Sequence, residues 1–505
     1  MKHRITQILG LILFISIIGI ILMYWSTTLL YVISISFQLL AIVISFRLLF
    51  IDERVTSSKV AWILIVFILP IIGIILYFLF GRNPQTRKFS DAQIEESQKI
   101  VESIRNKPLI NLAEAPKLAI KQANLTEINP LKSNKVEILT NGDITFREIK
   151  KQLYKATNHI HIQYYIYKTD NISTQIRDIL INKAKQGVEV RFMYDGFGSS
   201  GLSADFLAPL KEAGAEVEVY DPIYSPWIVR TANLRNHRKM IVIDGQIGFT
   251  GGLNVGEEYR SNTKQFKFWR DTHIQIEGLA VKELQEAFLK DWVYVKNESG
   301  SANEFVTPLG LEKYFNPYPQ GKDWAQVIYG GPYDKEFYIR DSMLNLIENA
   351  KESVWITSPY FIPDEQSLGV IRRVAMNGID VKIIIPGKGD RGISFNGSNA
   401  YIETMIEAGA KIYAYDKTSF IHAKIIIVDR KQAAVGTANF DVRSFRLNHE
   451  LMVFLYDKSK AVNHLVTDYE QDLINSELFT MEDMERKSFM RNVKESLSSL
   501  LSPLL

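Results

Sequence analysis

The chain has 505 residues, with 59 Lys and Arg against 56 Asp and Glu, 47% hydrophobic residues and no cysteine. The absence of cysteine excludes disulfides, Cys-ligated zinc, iron–sulfur clusters and thiol nucleophiles, and a net charge of +3 argues against a strongly basic nucleic-acid binder. At about 150 residues per domain, this length allows two or three domains with substantial cores.

The N-terminal residues 1–81 are predicted to form a transmembrane anchor. No charged residue or histidine occurs between Ile5 and Phe46, and one span needs roughly 20 apolar residues, so this run suffices for two spans. A second uncharged block extends from Val60 to Gly81, and its Pro70 is tolerable in a lipid-embedded helix. A cleaved signal peptide has a much shorter apolar part, about 7–15 residues. We therefore predict two or three helices and a multi-pass membrane protein. Basic residues on every flank leave open the number of spans and the membrane face that holds the rest of the chain.

Residues 82–135 are polar and predicted to be a linker helix region, after which an internal repeat begins. Each copy has a predicted strand, a helix that ends at a glycine and a second strand: His159–Tyr165, Gly187 and Val188–Tyr194, then Val354–Tyr360, Gly378 and Ile379–Ile385. Each copy then repeats the helix end Glu-Ala-Gly-Ala, at residues 212–215 and 407–410. A glycine after the last turn suits the left-handed conformation of a helix C-terminus.

The order strand–helix–strand predicts an α/β fold, with helices covering a sheet that is at least partly parallel. The repeat predicts a duplicated domain with two sheet halves that face one active-site cleft. We assign residues 136–310 to the first half and residues 320–505 to the second. Duplication matters for function because two similar halves can place two copies of one motif across a single cleft.

One motif occurs once in each half. It reads HRKMIVID over His237–Asp244 and HAKIIIVD over His422–Asp429. Glycine and asparagine follow at one spacing, so that Asn254 and Asn439 both lie 17 residues past the histidine (254 − 237 and 439 − 422). A single copy would be weak evidence, whereas two copies with matching downstream residues are a specific signal.

The residue types of this motif favour the binding of an anion. On a strand, residues two apart share a face, so His237 and Lys239 are predicted to project together, as are His422 and Lys424. For one copy alone, ordinary solvent-facing strand residues are an equal alternative. A metal site is disfavoured, because a lysine on the same face repels a divalent cation and offers no lone pair. Two lysines and two asparagines can instead bind the oxygens of a phosphate.

Two histidines that face one phosphate suit covalent catalysis, in which one neutral imidazole attacks phosphorus and one imidazolium protonates the leaving oxygen. A carboxylate on the distal ring nitrogen would fix the tautomer and orientation of each ring. Asp271 and Glu450 are the candidates, because they lie 34 residues past His237 (271 − 237) and 28 past His422 (450 − 422). The alternative for both is a surface salt bridge.

Asp244 and Asp429 complete the two motifs, and we count them with the catalytic set. Each lies seven residues past its histidine (244 − 237 and 429 − 422), an odd spacing that on a strand places it on the opposite side. We therefore assign both a structural role in holding the strand, not a role in proton transfer.

These residues resemble the phospholipase D superfamily, whose signature is His-x-Lys-x4-Asp followed by Gly and Asn in each half. The resemblance extends from Val136 to the C-terminal region and neither motif copy departs from the signature. More narrowly, the segments Asn233–Lys239, Trp269–Thr272 and Asn439–Glu450 resemble the bacterial cardiolipin synthase family, as does the end of the anchor at Ile74–Arg82.

The resemblance implies a duplicated phospholipase D-like domain in the bacterial cytoplasmic membrane, and a reaction in which two phosphatidylglycerol molecules give cardiolipin and glycerol without metal, nucleotide or other cofactor. It implies that His237 attacks the phosphate of one lipid, and that His422 protonates the departing glycerol and then activates the second lipid. The groups that would hold the phosphoryl oxygens are Lys239, Lys424, Asn254 and Asn439. The implied partners are phosphatidylglycerol and cardiolipin in the bilayer, with no nucleic acid and no obligate protein partner.

Several functions remain open from the sequence. A phospholipase D hydrolase, or a phosphatidyltransferase with another alcohol acceptor, would use the same motifs. A membrane-anchored binding protein is disfavoured by the intact histidines and lysines, and a nuclease is disfavoured by the anchor and the near-neutral charge. The acceptor distinguishes a transferase from a hydrolase, and exclusion of water depends on the shape of the pocket.

The first half carries ten extra residues before its motif, because Gly214 and His237 are 23 apart whereas Gly409 and His422 are 13 apart. This excess contains the aromatic segment Tyr220–Trp227. Amphipathic aromatic side chains favour the membrane–water interface. We therefore hypothesise that the segment contacts lipid, with an ordinary surface loop as the equal alternative.

Overall fold

The computed structural model describes residues 27–52, 56–81, 112–222, 233–260, 265–298, 311–334, 336–390, 392–485 and 487–501. The chain divides into two compact units, one formed by Met1–Asn83 and the other by Pro84–Pro503.

The described part of the first unit contains three helices, α1 (Thr27–Phe50), α2 (Thr56–Ile68) and α3 (Pro70–Phe80). Within it, α1 is the one helix long and apolar enough to cross a membrane, over Tyr31–Phe50. The block predicted as one uncharged span is two helices of 13 and 11 residues, each shorter than the roughly 20 residues that a span needs. They separate at Leu69, since a residue before proline is kept out of the helical conformation. The earlier part of the first apolar run lies outside the described residues.

The three helices of this unit pack through a small apolar core. Trp62 and Tyr77 meet edge to face, with ring centroids 5.6 Å apart. The outer side of α1 is apolar as well, and Phe46 and Leu49 are exposed there. Helices that are apolar all round are typical of membrane-embedded segments. The remaining buried members of this core are Ala41, Ile44, Leu48, Val66 and Ile74.

The second unit contains all the strands of the described chain. The strands of its first half are β1 Leu131–Thr140, β2 His159–Tyr164, β3 Glu189–Asp195, β4 Glu216–Tyr220, β5 Arg235–Asn236, β6 Met240–Ile243, β7 Ile247–Gly251, β8 Trp269–Arg270 and β9 Thr272–Gly278. Those of its second half are β10 Asp323–Gly330, β11 Ser353–Thr357, β12 Phe361–Ile362, β13 Asp380–Pro386, β14 Lys411–Tyr415, β15 Phe420–Ile421, β16 Ile425–Val428, β17 Gln432–Gly436, β18 Phe440–Asp441, β19 Asn448–Tyr456 and β20 Ser476–Leu478.

Helices connect these strands. The first group is α4 Lys117–Thr126, α5 Asn141–Leu153, α6 Asn171–Lys185, α7 Ala204–Glu212 and α8 Val281–Glu298. The second group is α9 Tyr338–Glu348, α10 Glu365–Met376, α11 Gly392–Asn399, α12 Ile402–Glu407, α13 Val442–Arg446, α14 Lys460–Ile474, α15 Met481–Glu485 and α16 Phe489–Leu501. Short 3₁₀ turns occur at Leu112–Glu114, Glu257–Tyr259 and Glu312–Tyr314.

One continuous sheet crosses the unit in the order β20-β14-β13-β11-β16-β17-β19-β10-β1-β9-β7-β6-β2-β3-β4. The same local order occurs on each side of the β1–β10 junction, which confirms the predicted duplication. The strands β2-β3-β4 and β11-β13-β14 are parallel, and the other neighbours on this path are antiparallel. The sheet is therefore partly parallel, as the strand–helix–strand order predicted.

The helix ends of the repeat are also confirmed. Gly214 and Gly409 follow α7 and α12 with φ of 96° and 93°, a conformation that glycine adopts without steric cost. Helices cover both faces of the sheet, and one core, to which α8 and α14 contribute, includes strand residues of both halves.

Part of the predicted linker belongs to the folded core. β1 begins at Leu131, five residues before the predicted start of the first half, and pairs with β9 from Asn134 to Thr140. Leu118 and Ala119 on α4 are buried among residues of the second half, and Gln122 Nε2 donates a hydrogen bond to Ser342 O at 2.8 Å. The polar sequence concealed this helix because only a narrow side of it is buried.

Candidate active site

Each motif histidine is held by backbone contacts to the opposite half. The short strand β5, just before His237, pairs in parallel with the start of β19, and β15, just before His422, pairs in parallel with β8. The His237 N–H donates to His449 O at 3.0 Å, and the His422 N–H donates to Arg270 O at 2.7 Å. In both cases the acceptor is the residue immediately before the candidate carboxylate of the other half.

The carboxylates consequently pair with the histidines in a crossed arrangement. His237 Nδ1 lies 2.9 and 3.0 Å from the two carboxylate oxygens of Glu450, and His422 Nδ1 lies 2.7 Å from Asp271 Oδ2. In the sequence, each carboxylate was located by its distance from the histidine of its own half. In the structure, each carboxylate instead pairs with the histidine of the other half. The alternative of surface salt bridges is wrong, because both carboxylates are fully buried.

This pairing determines which ring nitrogen can react. A carboxylate that accepts a hydrogen bond from Nδ1 fixes the tautomer with the proton on Nδ1 and leaves Nε2 free of that proton. The side chains of His237 and His422 are 12% and 11% exposed, so the rings are nearly enclosed but reachable. The arrangement presents two oriented Nε2 atoms from opposite halves of the sheet.

The motif lysines occupy equivalent positions in the two copies. Lys239 Nζ donates to His237 O and Lys424 Nζ to His422 O, both at 2.6 Å. The two lysines come just before β6 and β16, whereas the sequence pattern predicted them within strands. The short strands β5 and β15 that precede the histidines pair with the other half. Burial lowers the pKa of Lys239 to about 7 and that of Lys424 to about 8, although nearby Glu450 and Asp271 act in the opposite direction.

The histidines respond to the same charges. Burial, together with the charges of Lys239 and Lys424, lowers the pKa of His237 to about 4, against the raising effect of Glu450. Burial and Lys424 also lower the pKa of His422. Each imidazole is thus affected by the lysines of both halves, as expected for a single site. Because a phosphodiester anion between the rings would favour the imidazolium form, substrate binding itself would promote protonation of one ring.

The carboxylates remain ionised despite their burial. Burial acts to raise the pKa of Glu450, but its interactions with His237 and Lys239 and the hydrogen bond from Thr437 outweigh burial, and the net pKa is lowered. Asp271 follows the same pattern with His422 and Lys424. Buried carboxylates of this kind can stabilise a positive charge on the imidazole that they face.

The two candidate asparagines, Asn254 and Asn439, each lie three residues past the end of a strand, β7 or β17 (254 − 251 and 439 − 436). Asn254 Oδ1 accepts from Ile166 N at 3.1 Å and its amide nitrogen donates to Tyr259 OH at 3.3 Å. The amide nitrogen of Asn439 donates to Asp441 Oδ2 at 3.0 Å. A carboxamide nitrogen has two hydrogens, so these contacts leave one N–H of each side chain for a phosphoryl oxygen.

Asp244 and Asp429 lie at the far ends of the motif strands. Asp244 accepts hydrogen bonds from the backbone N–H groups of residues 157–159, and Asp429 accepts them from residues 351–353. The four-residue strands β6 and β16 separate each aspartate from its lysine, a length of about 13 Å at 3.3 Å per residue. These contacts fix the beginnings of β2 and β11, in agreement with the structural role, and place neither aspartate among the reacting groups.

Sequence reasoning missed several side chains around the histidines. Tyr165 has its ring centroid 4.8 Å from that of His237, and Trp269 lies 5.3 Å from His422. Thr437 Oγ1 donates to Glu450 Oε2 at 2.6 Å. These residues lie inside segments that the repeat and the signature identify, but a single sequence gives no signal that distinguishes them from core residues.

Two other sequence expectations concern the surroundings. Of the proposed lipid-contacting segment only Tyr220–Pro222 is described; Tyr220 is buried there, with its hydroxyl 2.9 Å from His449 Nε2. Tyr224 and Trp227 lie outside the described residues. Among the residues that the structure describes, no group of three or more His, Asp and Glu side chains is arranged to hold a metal ion.

Comparison with known proteins agrees with this geometry. Residues 149–292 and 343–473 match the family described as "Cardiolipin synthase, PLD-like domain", and residues 39–82 match "Phospholipase_D-nuclease N-terminal". The chain is 41% identical to cardiolipin synthase 1 of Bacillus anthracis over the full length of both, and 37% identical to cardiolipin synthase of Halalkalibacterium halodurans, again over both full lengths.

A similar fold occurs in a crystal structure of phosphatidylserine synthase from Haemophilus influenzae. It superposes with a TM-score of 0.60 at 14% identity and covers 77% of this chain and all of that one. This likeness supports the fold of the two halves, and the sequence matches extend over both halves and both motif copies. The chain therefore belongs to the cardiolipin synthase family of the phospholipase D superfamily.

Proposed function

We propose that this chain is a membrane phosphatidyltransferase that converts two phosphatidylglycerol molecules into cardiolipin and glycerol through a phosphohistidine intermediate. Its membership of the cardiolipin synthase family supports the overall reaction. The observation that supports the intermediate is the crossed pair of histidines, each with a buried carboxylate on Nδ1. A histidine held in this way is a nucleophile or an acid at Nε2.

In the first step, neutral His237 attacks the phosphorus of one phosphatidylglycerol through Nε2. A phosphorus–nitrogen bond forms, the bond from phosphorus to the terminal glycerol oxygen breaks, and His422 donates its Nε2 proton to that oxygen. Free glycerol leaves, and the phosphatidyl group stays on His237. The assignment of His237 as the nucleophile follows the family resemblance, since the geometry of the two histidines is nearly equivalent.

In the second step, the primary hydroxyl of a second phosphatidylglycerol attacks the phosphohistidine. His422, now neutral, accepts the hydroxyl proton, the phosphorus–nitrogen bond breaks and cardiolipin forms. Both histidines return to their starting protonation states. A water molecule in place of the second lipid would give phosphatidic acid, so this step distinguishes a transferase from a hydrolase.

The lysines and asparagines stabilise the phosphoryl oxygens in both steps. Negative charge grows on these oxygens in the transition state, where an ammonium group or an amide N–H in a water-poor site is most effective. Lys239 and Lys424 lie one from each half beside the histidines. The mechanism needs no metal, because the ammonium groups of Lys239 and Lys424 stabilise the negative charge on the phosphoryl oxygens.

The location that fits this reaction is a bacterial cytoplasmic membrane, with the first unit as a multi-pass anchor. Both substrates and the product are lipids whose head groups lie at the membrane surface. The apolar helix α1 and the apolar exteriors of the helices around it support membrane embedding. A tethered site meets its substrates without having to extract them from the bilayer.

Product analysis tests the proposal. The purified full chain is incubated with vesicles of phosphatidylglycerol, and the lipid and water-soluble products are followed over time. Cardiolipin and glycerol in equal amounts are the expected result. Phosphatidic acid with glycerol would identify a hydrolase instead, and no turnover would support a lipid-binding protein.

A further inference from the structure

The helix α16 presents its apolar side to the outside. Phe489, Met490 and Leu497 are 79%, 61% and 55% exposed, whereas Glu495 and Ser498 are buried. An amphipathic helix on a soluble domain normally has the opposite arrangement, with its apolar stripe against the core. The exposed stripe therefore needs an apolar environment that the described residues of the second unit do not provide.

A buried ion pair fixes this orientation. The Glu495 carboxylate forms ion pairs with Lys487 Nζ and Arg491 Nε, each at 2.8 Å. The side chains of Lys487 and Glu495 are only 3% and 5% exposed. At 100° per residue, Phe489 and Leu497 lie on the side of the helix opposite Glu495. Lys487 Nζ also donates to Asn399 O, at the end of α11, at 3.4 Å. Rotation of α16 to bury its apolar stripe would break this contact and turn the charged side of the helix outwards.

Short contacts connect α16 with the active site. α16 packs against α11, where a Cβ built on Gly397 would lie 3.8 Å from Ser498 O. The next residue of α11, Ser398, accepts a hydrogen bond from Phe361 N at 3.0 Å. Phe361 on β12 pairs with Phe440 on β18, the residue directly after Asn439. The exposed stripe is thus tied to the segment that carries one of the candidate phosphate ligands.

The charges beside the stripe favour an anionic partner. Lys494 is exposed on α16 at the edge of the apolar stripe, whereas Arg491 lies on the opposite side with Glu495. Ile393, on the adjoining helix α11, is also 49% exposed. An apolar stripe with a cationic side chain at its edge suits a helix that lies in the headgroup layer of an anionic membrane.

We propose that α16 lies in the surface of an anionic bilayer, with Phe489, Val493 and Leu497 among the lipid chains, and that it holds the catalytic cleft against the lipid surface. This inference rests on the proposed function, since a cleft that transfers phosphatidyl groups must face lipid head groups. It adds a second membrane contact to the anchor formed by the first unit.

The lack of cysteine makes a direct test possible. A Leu497→Cys variant of the full chain has a single thiol, which is labelled with a nitroxide after reconstitution in phosphatidylglycerol vesicles. Met376→Cys, at the exposed end of α10, is the matched control. We expect the label at 497 to collide several-fold more with oxygen, which concentrates in lipid, than with a water-soluble nickel chelate, and the label at 376 to show the reverse. A label at 497 that prefers the chelate overturns the proposal, and so does one that neither reagent reaches, which would indicate a covering protein surface.

Activity measurements provide a second test. The double variant Phe489→Ser with Leu497→Ser is compared with Met376→Ser on long-chain phosphatidylglycerol vesicles and on a short-chain phosphatidylglycerol that is monomeric in water. We expect the double variant to be about tenfold slower on vesicles, since it loses apolar contacts with lipid, and unchanged on the monomeric substrate. Equal activity of both variants on vesicles, or an equal loss on both substrates, would overturn the inference. Failure of the unmutated chain to make cardiolipin from either substrate would instead contradict the proposed function.

Discussion

The two halves of the second unit share one strand order but support their carboxylates differently. Thr437 donates its hydroxyl to Glu450 Oε2, and Asn448 Nδ2 donates to Glu450 Oε1 at 3.1 Å. The position that corresponds to Thr437 in the first half is Gly252, where a Cβ would lie 2.0 Å from Asp271 Oδ1. The first half thus keeps a glycine because its carboxylate occupies the space that a threonine side chain fills in the second.

The difference shows that the duplicated halves are interdependent. Each half provides one histidine and one carboxylate, but the carboxylate serves the histidine of the other half. A half on its own would therefore have a histidine without its orienting group and a buried carboxylate without its counter-charge, which is costly. The distinct supports of Glu450 and Asp271 make the two imidazoles inequivalent, as the different roles that we propose for them require.

The largest effects are expected from the histidines themselves. His237→Ala and His422→Ala should each reduce cardiolipin formation by roughly 10⁴-fold or more, since groups that act as a unit fail together. The exposed His464→Ala serves as the control and should keep full activity. Quenching with denaturant at alkaline pH, which preserves the phosphorus–nitrogen bond, followed by peptide mapping with phosphorus-labelled phosphatidylglycerol, should place the label on His237. Label on His422 would reverse the roles of the two halves.

The next largest effects on activity are expected from the two carboxylates that face the histidines. Glu450→Gln and Asp271→Asn should lower kcat by about 10²- to 10⁴-fold, because an amide cannot stabilise the imidazolium that it faces. The crossed pairing predicts that Glu450→Gln changes the ¹⁵N resonances of His237 more than those of His422. A larger change at His422 would contradict the crossed arrangement. Glu477→Gln, at an exposed ion pair, should leave kcat unchanged.

A smaller effect is expected from the hydroxyl of Thr437, which supports Glu450 and has no counterpart in the first half. Thr437→Val removes a hydrogen bond to a buried carboxylate, worth about 1.5–3 kcal/mol, and should lower kcat by roughly tenfold or somewhat more. Thr437→Ser should restore most of the activity because it keeps the hydroxyl. Thr467→Val on the surface of α14 is the control. Equal activity of the Val and Ser variants would show that this hydroxyl does not position Glu450 for catalysis.

The pH dependence should show the smallest but most diagnostic changes. With a pKa of about 4 for His237, kcat/KM should fall below about pH 4, as the nucleophile is protonated. It should also fall as the pH rises, first as the acid His422, whose pKa is lowered, loses its proton, and then above about pH 7 as the lysines, with pKa values of about 7 and 8, lose their charge. Glu450 raises the pKa of Lys239, so the residual activity of Glu450→Gln should decline at lower pH than that of the unmutated chain. Short-chain phosphatidylglycerol is the substrate for this profile. A rate that rises through pH 7–8 would contradict the role of charged lysines.

Much of the fold was predictable because its signals are local. Strand runs, the helix-ending glycines and the repeated His-x-Lys motifs each depend on a few consecutive residues, and the structure places the strands β2, β3, β11 and β13 within a few residues of the predictions. The exceptions have local causes as well. Pro70 divides an apolar block that was predicted as one span, and the narrow buried side of α4 made a core helix look like a linker.

The sequence by itself determined the duplication, the reacting residue types and the family, since two intact motif copies occur at matching spacing. Only the tertiary structure decided that His237 pairs with Glu450, 213 residues away, and that His422 pairs with Asp271, 151 residues away. Such pairings depend on which short strands meet across the junction of the halves, and spacing along the chain does not encode that. The outward orientation of the apolar side of α16 also depends on tertiary packing, because the helical pattern places Lys487, Arg491 and Glu495 on one side of the helix but does not show that this side is the one that packs against α11.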